Sequence, residues 1–340
     1  MKQRAVREAA SICFLAACAS ISIAAQLPPP SKEAAAIRVQ SSLVLIDVVS
    51  QDPKNALPVR DLKREDFRVF DNGQEVSIAT FAAGPHDTRP VVLWLVVICN
   101  EGRKNIFEAS GAFMGKEELF RPALDHLEKE DNVGVAHWCD NGETQLDLQP
   151  TDDYDGAIRV LAETLKPIPF QTGGDSDAVG EVTFRKMVRS IIRDAHRRNP
   201  QPLPVIAFLH GDYTGQPHRE LDQLVDDFLE TSGIVFGIKD DRSPNLHLVG
   251  EQSKILQYMA RQTGGLYLSV PPSEYATALE AILAQLHYRY ELGFVPLSLD
   301  GKRHELRVVL TKEAKKDHKD IRLRFRPEYI PVRKEPEWAH

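Results

Sequence analysis

The apolar positions of this chain change period several times, and those changes divide it. Val91–Ile98 is a continuous apolar run of eight residues. It is too short to span a bilayer. Its β-branched and bulky content predicts a strand buried on both faces, at the centre of a parallel sheet. Ile106–Lys129 follows as a polar stretch of helical length. Val133–Cys139 and Glu143–Gln149 predict two strands joined by an Asp140-Asn141-Gly142 hairpin turn. Within Asp152–Leu165, Tyr154, Ile158, Leu161 and Leu165 recur at helical spacing. Phe170–Gly180 is a Gly-rich loop. Val182–Arg197 predicts a helix with Met187, Ile191 and Ile192 inward, and Pro204–Leu209 another buried strand. Arg219–Thr231 predicts a helix, Ile234–Ile238 a strand, and Lys254–Thr263 a helix closed by Gly264-Gly265. Leu266–Val270 is a strand. Ser273 is expected to cap a last helix, Tyr275–Leu286, with Glu274 in its first turn. Strands alternating with helices mean a parallel sheet covered on both faces. The expected fold class over 88–287 is therefore α/β, doubly wound, with one antiparallel hairpin strand.

The flanks read as β. Before the α/β segment, a unit over 38–86 holds the apolar Leu43–Val49 and a polar turn at Leu62–Asp66. Alternating Phe67–Phe70 comes next, then an Asp71-Asn72-Gly73-Gln74 hairpin signal and a return strand through Val76, Ile78 and Phe81. After it, 288–331 holds Tyr288–Phe294, Glu305–Leu310 and Ile321–Arg326, with turns at Ser298–Gly301 and Lys315–Asp320. The basic runs Lys312–Lys319 and Arg322–Arg326 are expected to form a solvated hairpin. Neither flank has enough strands to bury a core alone. The two are expected to pair as a small β-sandwich into which the α/β domain is inserted.

Residues 1–25 read as a signal peptide: Lys2, Arg4 and Arg7 precede the small-residue apolar run Ala9–Ala25. Leu15-Ala16-Ala17-Cys18 resembles a bacterial lipobox, which would lipidate Cys18. Either route takes the chain out of the cytoplasm, to the periplasm, envelope or exterior. A Pro-rich leader, 26–37, and a polar tail, 332–340, bracket the folded part. Removing the signal's three basic residues and one acidic residue takes the net charge from −7 to −9. An acidic chain argues against a nucleic-acid partner. Cys13 and Cys18 lie in the signal, which leaves Cys99 and Cys139 for an oxidising compartment. Trp94 and Trp138 sit in strand patterns and are expected in the core.

This order of elements resembles the von Willebrand factor type A domain. The stretches that carry the resemblance are the strand 91–98, LPVIAFLHGD (203–212), ILQYMARQTGGLYLSV (255–270) and YRYELGFVP (288–296). More narrowly, VVSQDPKNALPVRDLKREDFRVFDNGQE (48–75), Cys99-Asn100 and RFRPEY (324–329) resemble VWFA-related proteins of acidobacterial envelopes. Type A domains commonly carry a metal-ion-dependent adhesion site. It uses Asp-x-Ser-x-Ser after the first strand, a loop Thr and an Asp after the fourth strand, oxygens that suit Mg²⁺. Aligned on Gly102, this chain has Cys99 for the Asp, Glu101 and Arg103 for the two Ser, and His210 for the later Asp. Thr172 remains as the loop Thr. The resemblance thus implies a degenerate site, with no metal and no cofactor. A site rebuilt from Glu101, Asp212 or Asp175 is the alternative.

The type A strand order would make the strands ending at Cys99, Cys139 and His210 neighbours. Three arrangements follow: a Cys99–Cys139 disulfide, two buried thiols, or a soft-metal site with His210 and His137. No nucleophile elbow, phosphate loop or His-Glu-x-x-His motif is present. The expectation is a non-enzymatic interaction or structural module of the envelope. Its unidentified protein partner would meet loops carrying Asn100, Glu101, Arg103, Thr172, His210 and Asp212. The alternatives are a metal-dependent adhesion module and a thiol enzyme in which Cys99 uses His137 or His210 as base.

Overall fold

A computed structural model describes residues 43–53, 57–99, 117–139, 142–165, 177–198, 200–210, 219–240, 255–318 and 320–331. The described chain opens with β1 (Val44–Gln51), β2 (Phe67–Asp71), β3 (Gln74–Val76) and β4 (Ile78–Ala83). Asn72 and Gly73 turn β2 into β3 with φ of 46° and 82°, the left-handed backbone that this residue pair tolerates best. The α/β segment follows. It comprises β5 (Val91–Cys99), α1 (Arg121–Leu124), β6 (Asn132–Cys139), β7 (Thr144–Thr151), α2 (Tyr154–Thr164), α3 (Asp177–Arg197) and β8 (Leu203–His210), then α4 (Arg219–Thr231), β9 (Ile234–Asp240), α5 (Ile255–Thr263), β10 (Tyr267–Val270) and α6 (Tyr275–His287). The chain returns to β with β11 (Tyr290–Phe294), β12 (His304–Leu310), a short α7 (Lys312–Asp317), β13 (Arg322–Arg324) and β14 (Glu328–Tyr329).

Strand β5 sits inside a six-stranded sheet of order β10-β9-β8-β5-β6-β7. All pairs are parallel except β6–β7. Leu93, Leu95 and Val97 pack on one side against α1, α2 and α6, while Val92, Trp94 and Val96 pack on the other against α3, α4 and α5. Leu93–Val96 are 0 % exposed. Burial on both faces is why this strand is apolar throughout rather than alternating. Among the described residues, no helix is long and apolar enough to cross a membrane.

The flanking strands form two antiparallel sheets, β13-β1-β11-β4 and β14-β12-β2-β3. Each mixes strands from before and after the α/β segment: Ile46 pairs with Leu292, and Val69 with Val308. One buried cluster spans both sheets, with Ile46, Val48 and Leu292 from the first and Val69, Leu306 and Tyr329 from the second.

Charged side chains fasten these sheets to the α/β segment. Asp47 of β1 accepts hydrogen bonds from Arg89 Nη2 at 2.7 Å and from Arg289 Nε at 2.8 Å. Those arginines lie on the two connections into and out of the segment. Arg89 also pairs with Glu291, and Arg289 Nη2 donates to the Arg89 carbonyl.

Several expectations are corrected. Lys312–Asp317 is a helix, not a hairpin turn. Thr311 Oγ1 accepts from the Ala314 N–H, and Ala314 is buried, so a cap and one apolar contact hold the turn. Arg322–Arg326 is solvated only at its start, where Arg322 is exposed. Arg324 donates to the Gly264 carbonyl and to Gln285 Oε1, and Arg326 is 5 % exposed. Helix α6 is not capped by Ser273. Its N-cap is Glu274, which makes no side-chain capping bond, because Pro272–Glu274 already forms a 3-10 turn. Helix α3 begins at Asp177, inside the expected loop. The stretch expected as one helical length before Lys129 is, where described, a 3-10 turn at Glu117–Phe120 and the four-residue α1, with Pro122 near its start. Residues 106–116 of that stretch lie outside the described residues.

Candidate functional site at the carboxyl edge of the sheet

In an open α/β sheet, ligands sit beyond the carboxyl ends of the strands. Here β5 ends at Cys99, β6 at Cys139, β8 at His210 and β9 at Asp240. Cys99 and Cys139 are direct register partners on neighbouring parallel strands. Cys139 is 4 % exposed. One strand further along, His210 is in register with Lys239, which is 7 % exposed. The hairpin after Cys139 closes through Gly142, whose N–H donates to the Cys139 carbonyl at 2.9 Å with φ of 86°.

Next to this row, His137 Nδ1 lies 2.9 and 3.0 Å from the two carboxylate oxygens of Asp147 on β7. Each side chain is 12 % exposed. That hydrogen bond raises the His137 pKa above its ordinary value; burial opposes the rise, and the charges of Asp147 and Glu143 reinforce it. Nε2 of His137 is buried without a hydrogen-bond partner. Trp138 Nε1 donates to the Gly180 carbonyl at 2.9 Å and to Thr183 Oγ1 at 3.1 Å, which ties the end of β6 to the start of α3. Its ring meets Phe184 edge-on at 5.4 Å. Both Trp94 and Trp138 are core, as expected.

Of the loop residues expected to meet a partner, Asn100, Glu101, Arg103, Thr172 and Asp212 lie outside the described residues, as does Asp175. His210 and Cys99 are placed by their strands alone. The structure brings Cys99 and Cys139 together by register and sets His210 on the strand at the other side of β5. Among the described residues, no group of three His, Cys, Asp or Glu side chains could hold a metal ion. Sequence reasoning missed Asp147, whose pairing follows from the bulged β6–β7 register. A carboxylate on the strand paired with a histidine-bearing strand is the signal that points to it.

No family model matches the chain, and no curated protein matches it. Solved structures do resemble it in part. The conserved hypothetical protein BatB from Bacteroides thetaiotaomicron is 15 % identical, covering 58 % of this chain and 97 % of that one, with a TM-score of 0.39. A von Willebrand factor type A structure from Catenulispora acidiphila is 11 % identical over 79 % of this chain and 74 % of its own, with a TM-score of 0.41. The SpRpn10 VWA domain is 14 % identical over 58 % and 94 %, with a TM-score of 0.34. The fold is von Willebrand factor type A-like. That statement rests on the sheet: a central apolar β5 between parallel β8 and β6, with β9 and β10 parallel beyond β8, and one antiparallel edge strand reached by a hairpin.

Proposed function

We propose that the protein is an exported, non-enzymatic binding module of the cell envelope, of the acidobacterial VWFA-related kind. Its carboxyl-edge loops would engage another protein without a metal ion, and a Cys99–Cys139 disulfide would stand where relatives hold the ion. The observation that carries this reading is the register of Cys99 with Cys139. Neighbouring strands lie about 4.8 Å apart, within the Cα separation that a disulfide spans. Closing the loop from 99 to 139 would stabilise the fold by roughly 3–4 kcal/mol through loop-closure entropy. Like the ion, the bond would tie together the ends of two central strands. Unlike the ion, it offers no open coordination position for a partner's carboxylate. Binding therefore falls to the loops 100–104, 171–177 and 212–218, with Asn100, Glu101, Arg103, Thr172 and Asp212, beside His210. The basic start and the apolar run that follows support export, with Cys18 as a lipid anchor if the lipobox is used.

Non-reducing peptide mapping of mature protein made in an oxidising compartment tests the bond. Recovery of both cysteines as free thiols refutes it. Affinity capture from the native envelope tests the binding mode. Capture should survive a metal chelator and weaken in Arg103→Glu. Capture that requires Mg²⁺ would instead establish the adhesion-site alternative.

A further inference from the structure

A cavity of about 550 Å³ opens in the outer sheets, between β12, α7 and the chain around β13. Its floor is apolar. Val308 and Leu310 of β12 are buried there, and Leu323 and Phe325 pack, partly buried, against the same cluster that unites the two sheets. Lys315 and Asp320, both exposed, and the partly exposed His318 also line it, so its solvent side is polar. Strand β13 is an edge strand among the described residues. The surroundings are basic in an acidic chain. Lys312–Arg322 holds five Lys and Arg against three Asp and Glu, a net of +2, where the whole chain carries −7. Among the described residues, no carboxylate forms an ion pair with Lys315, while His318 Nε2 lies 3.8 Å from Asp61 Oδ1.

A concave site of this size, apolar with a few polar groups at its mouth, is the form that small-molecule sites take. We propose that this cavity binds a medium-chain fatty acid, its tail on the apolar floor and its carboxylate beside Lys315. A tail that leaves water for Val308, Leu310, Leu323 and Phe325 extends the apolar cluster already between the sheets. The volume corresponds to roughly 18 water-sized spaces, enough for a straight chain of about ten carbons with its carboxylate and too little for a two-tailed lipid.

Charge selects the head group. The exposed Lys315 ammonium lines the cavity and is free to meet an anion there. Asp320 lines the same cavity and opposes a carboxylate. The local net of +2 already includes Asp320, so the field at the mouth favours an anionic head over a cationic one. This site is separate from the loops at the carboxyl edge of the central sheet and does not depend on their role.

The test is calorimetric titration of the full-length protein with octanoate and with decanoate, below the concentrations at which they form micelles. One saturable site is expected, tighter by about fourfold for each added methylene and so on the order of tenfold tighter for decanoate. Lys315→Glu, at an exposed position, should weaken decanoate on the order of tenfold and leave the melting temperature unchanged. Asp320→Asn suits the left-handed φ of 67° and should tighten it. Leu323→Trp should fill the cavity and abolish binding; if that variant folds poorly, the two surface variants carry the test. Absence of saturable binding in the wild type, an affinity that both surface variants leave unchanged, or decyltrimethylammonium binding as tightly as decanoate would each overturn the proposal. A dimer in sedimentation that Leu323→Trp breaks would also overturn it, by making a second copy the occupant of the cavity.

Discussion

Asp47→Ala is the substitution whose effect follows most directly from the structure. The Asp47 side chain is 3 % exposed and accepts from two guanidinium groups, Arg89 at 2.7 Å and Arg289 at 2.8 Å. The Arg289 side chain is likewise 3 % exposed. Arg89 keeps Glu291 when Asp47 is removed, but Arg289 keeps hydrogen bonds to the carbonyls of Leu286 and Arg89 and, without an ion-pair contact, the nearby charge of Asp131. A buried charge then loses its direct ion-pair partner, which typically costs 3–5 kcal/mol, and with Asp131 still nearby about 3 kcal/mol is expected here. That is a large share of the roughly 5–15 kcal/mol that holds a domain together. The melting temperature should fall by about 10 °C. Asp47→Asn, which keeps an acceptor but no charge, should fall between wild type and Asp47→Ala. Replacing both members, as in Asp47→Leu with Arg289→Met, should recover much of the loss, because the desolvation of both charges disappears together. Urea unfolding followed by tryptophan fluorescence and far-ultraviolet dichroism measures all of this. An Asp47→Ala midpoint corresponding to less than about 1 kcal/mol of destabilisation would refute the argument.

Other outcomes follow from the same structure. The His137 pKa is raised in the folded state, so its stabilising contribution is full below the ordinary value near 6.5 and fades as pH rises through the folded value. The stability difference between wild type and His137→Gln, measured by urea midpoints across pH, should therefore shrink on the alkaline side, and a constant difference would contradict it. A Cβ at Gly134 would sit 2.8 Å from the fully buried Trp94 ring, so Gly134→Ala should cost about 1–3 kcal/mol by overpacking; an unshifted thermal midpoint would show that the ring yields freely. Mg²⁺ and Mn²⁺ should leave the melting temperature unchanged, whereas a saturable rise lost in Glu101→Ala or Thr172→Ala would mean a rebuilt adhesion site.

How far the sequence could be read depended on whether a residue's partners were local. Val91–Ile98 was legible as a central strand because burial on both faces forces an unbroken apolar run. Arg219–Thr231 was legible to the residue, since its apolar positions all face one layer. Helix α7 was not, because six residues with a single buried side chain carry no periodicity to detect. Arg326 looked like part of an exposed basic strand. Its burial depends on carbonyls 97 and 281 positions away, at Leu229 and Leu45. The row of Cys99 and Cys139 could be anticipated from strand order, but the His137–Asp147 pair depends on a bulge that shifts the β6–β7 register.

The Asp47–Arg289 contact spans 242 positions, which bears on the order in which the chain assembles. Synthesis delivers β1 to β4 first, while their partners β11 and β12 appear only after the whole α/β segment. Four strands with open edges must wait. The segment itself shortens the delay. Once folded, it holds its own two ends together, for the Gly84 N–H donates to the Arg289 carbonyl at 3.0 Å. A closure across some two hundred residues then becomes entropically a closure across a few. Folding of the parallel sheet would thus act as the latch for the outer sheets. Lesions deep in that sheet, such as one at Gly134, would slow formation of strands they never touch, and leave β1 to β4 exposed to mispairing in the meantime.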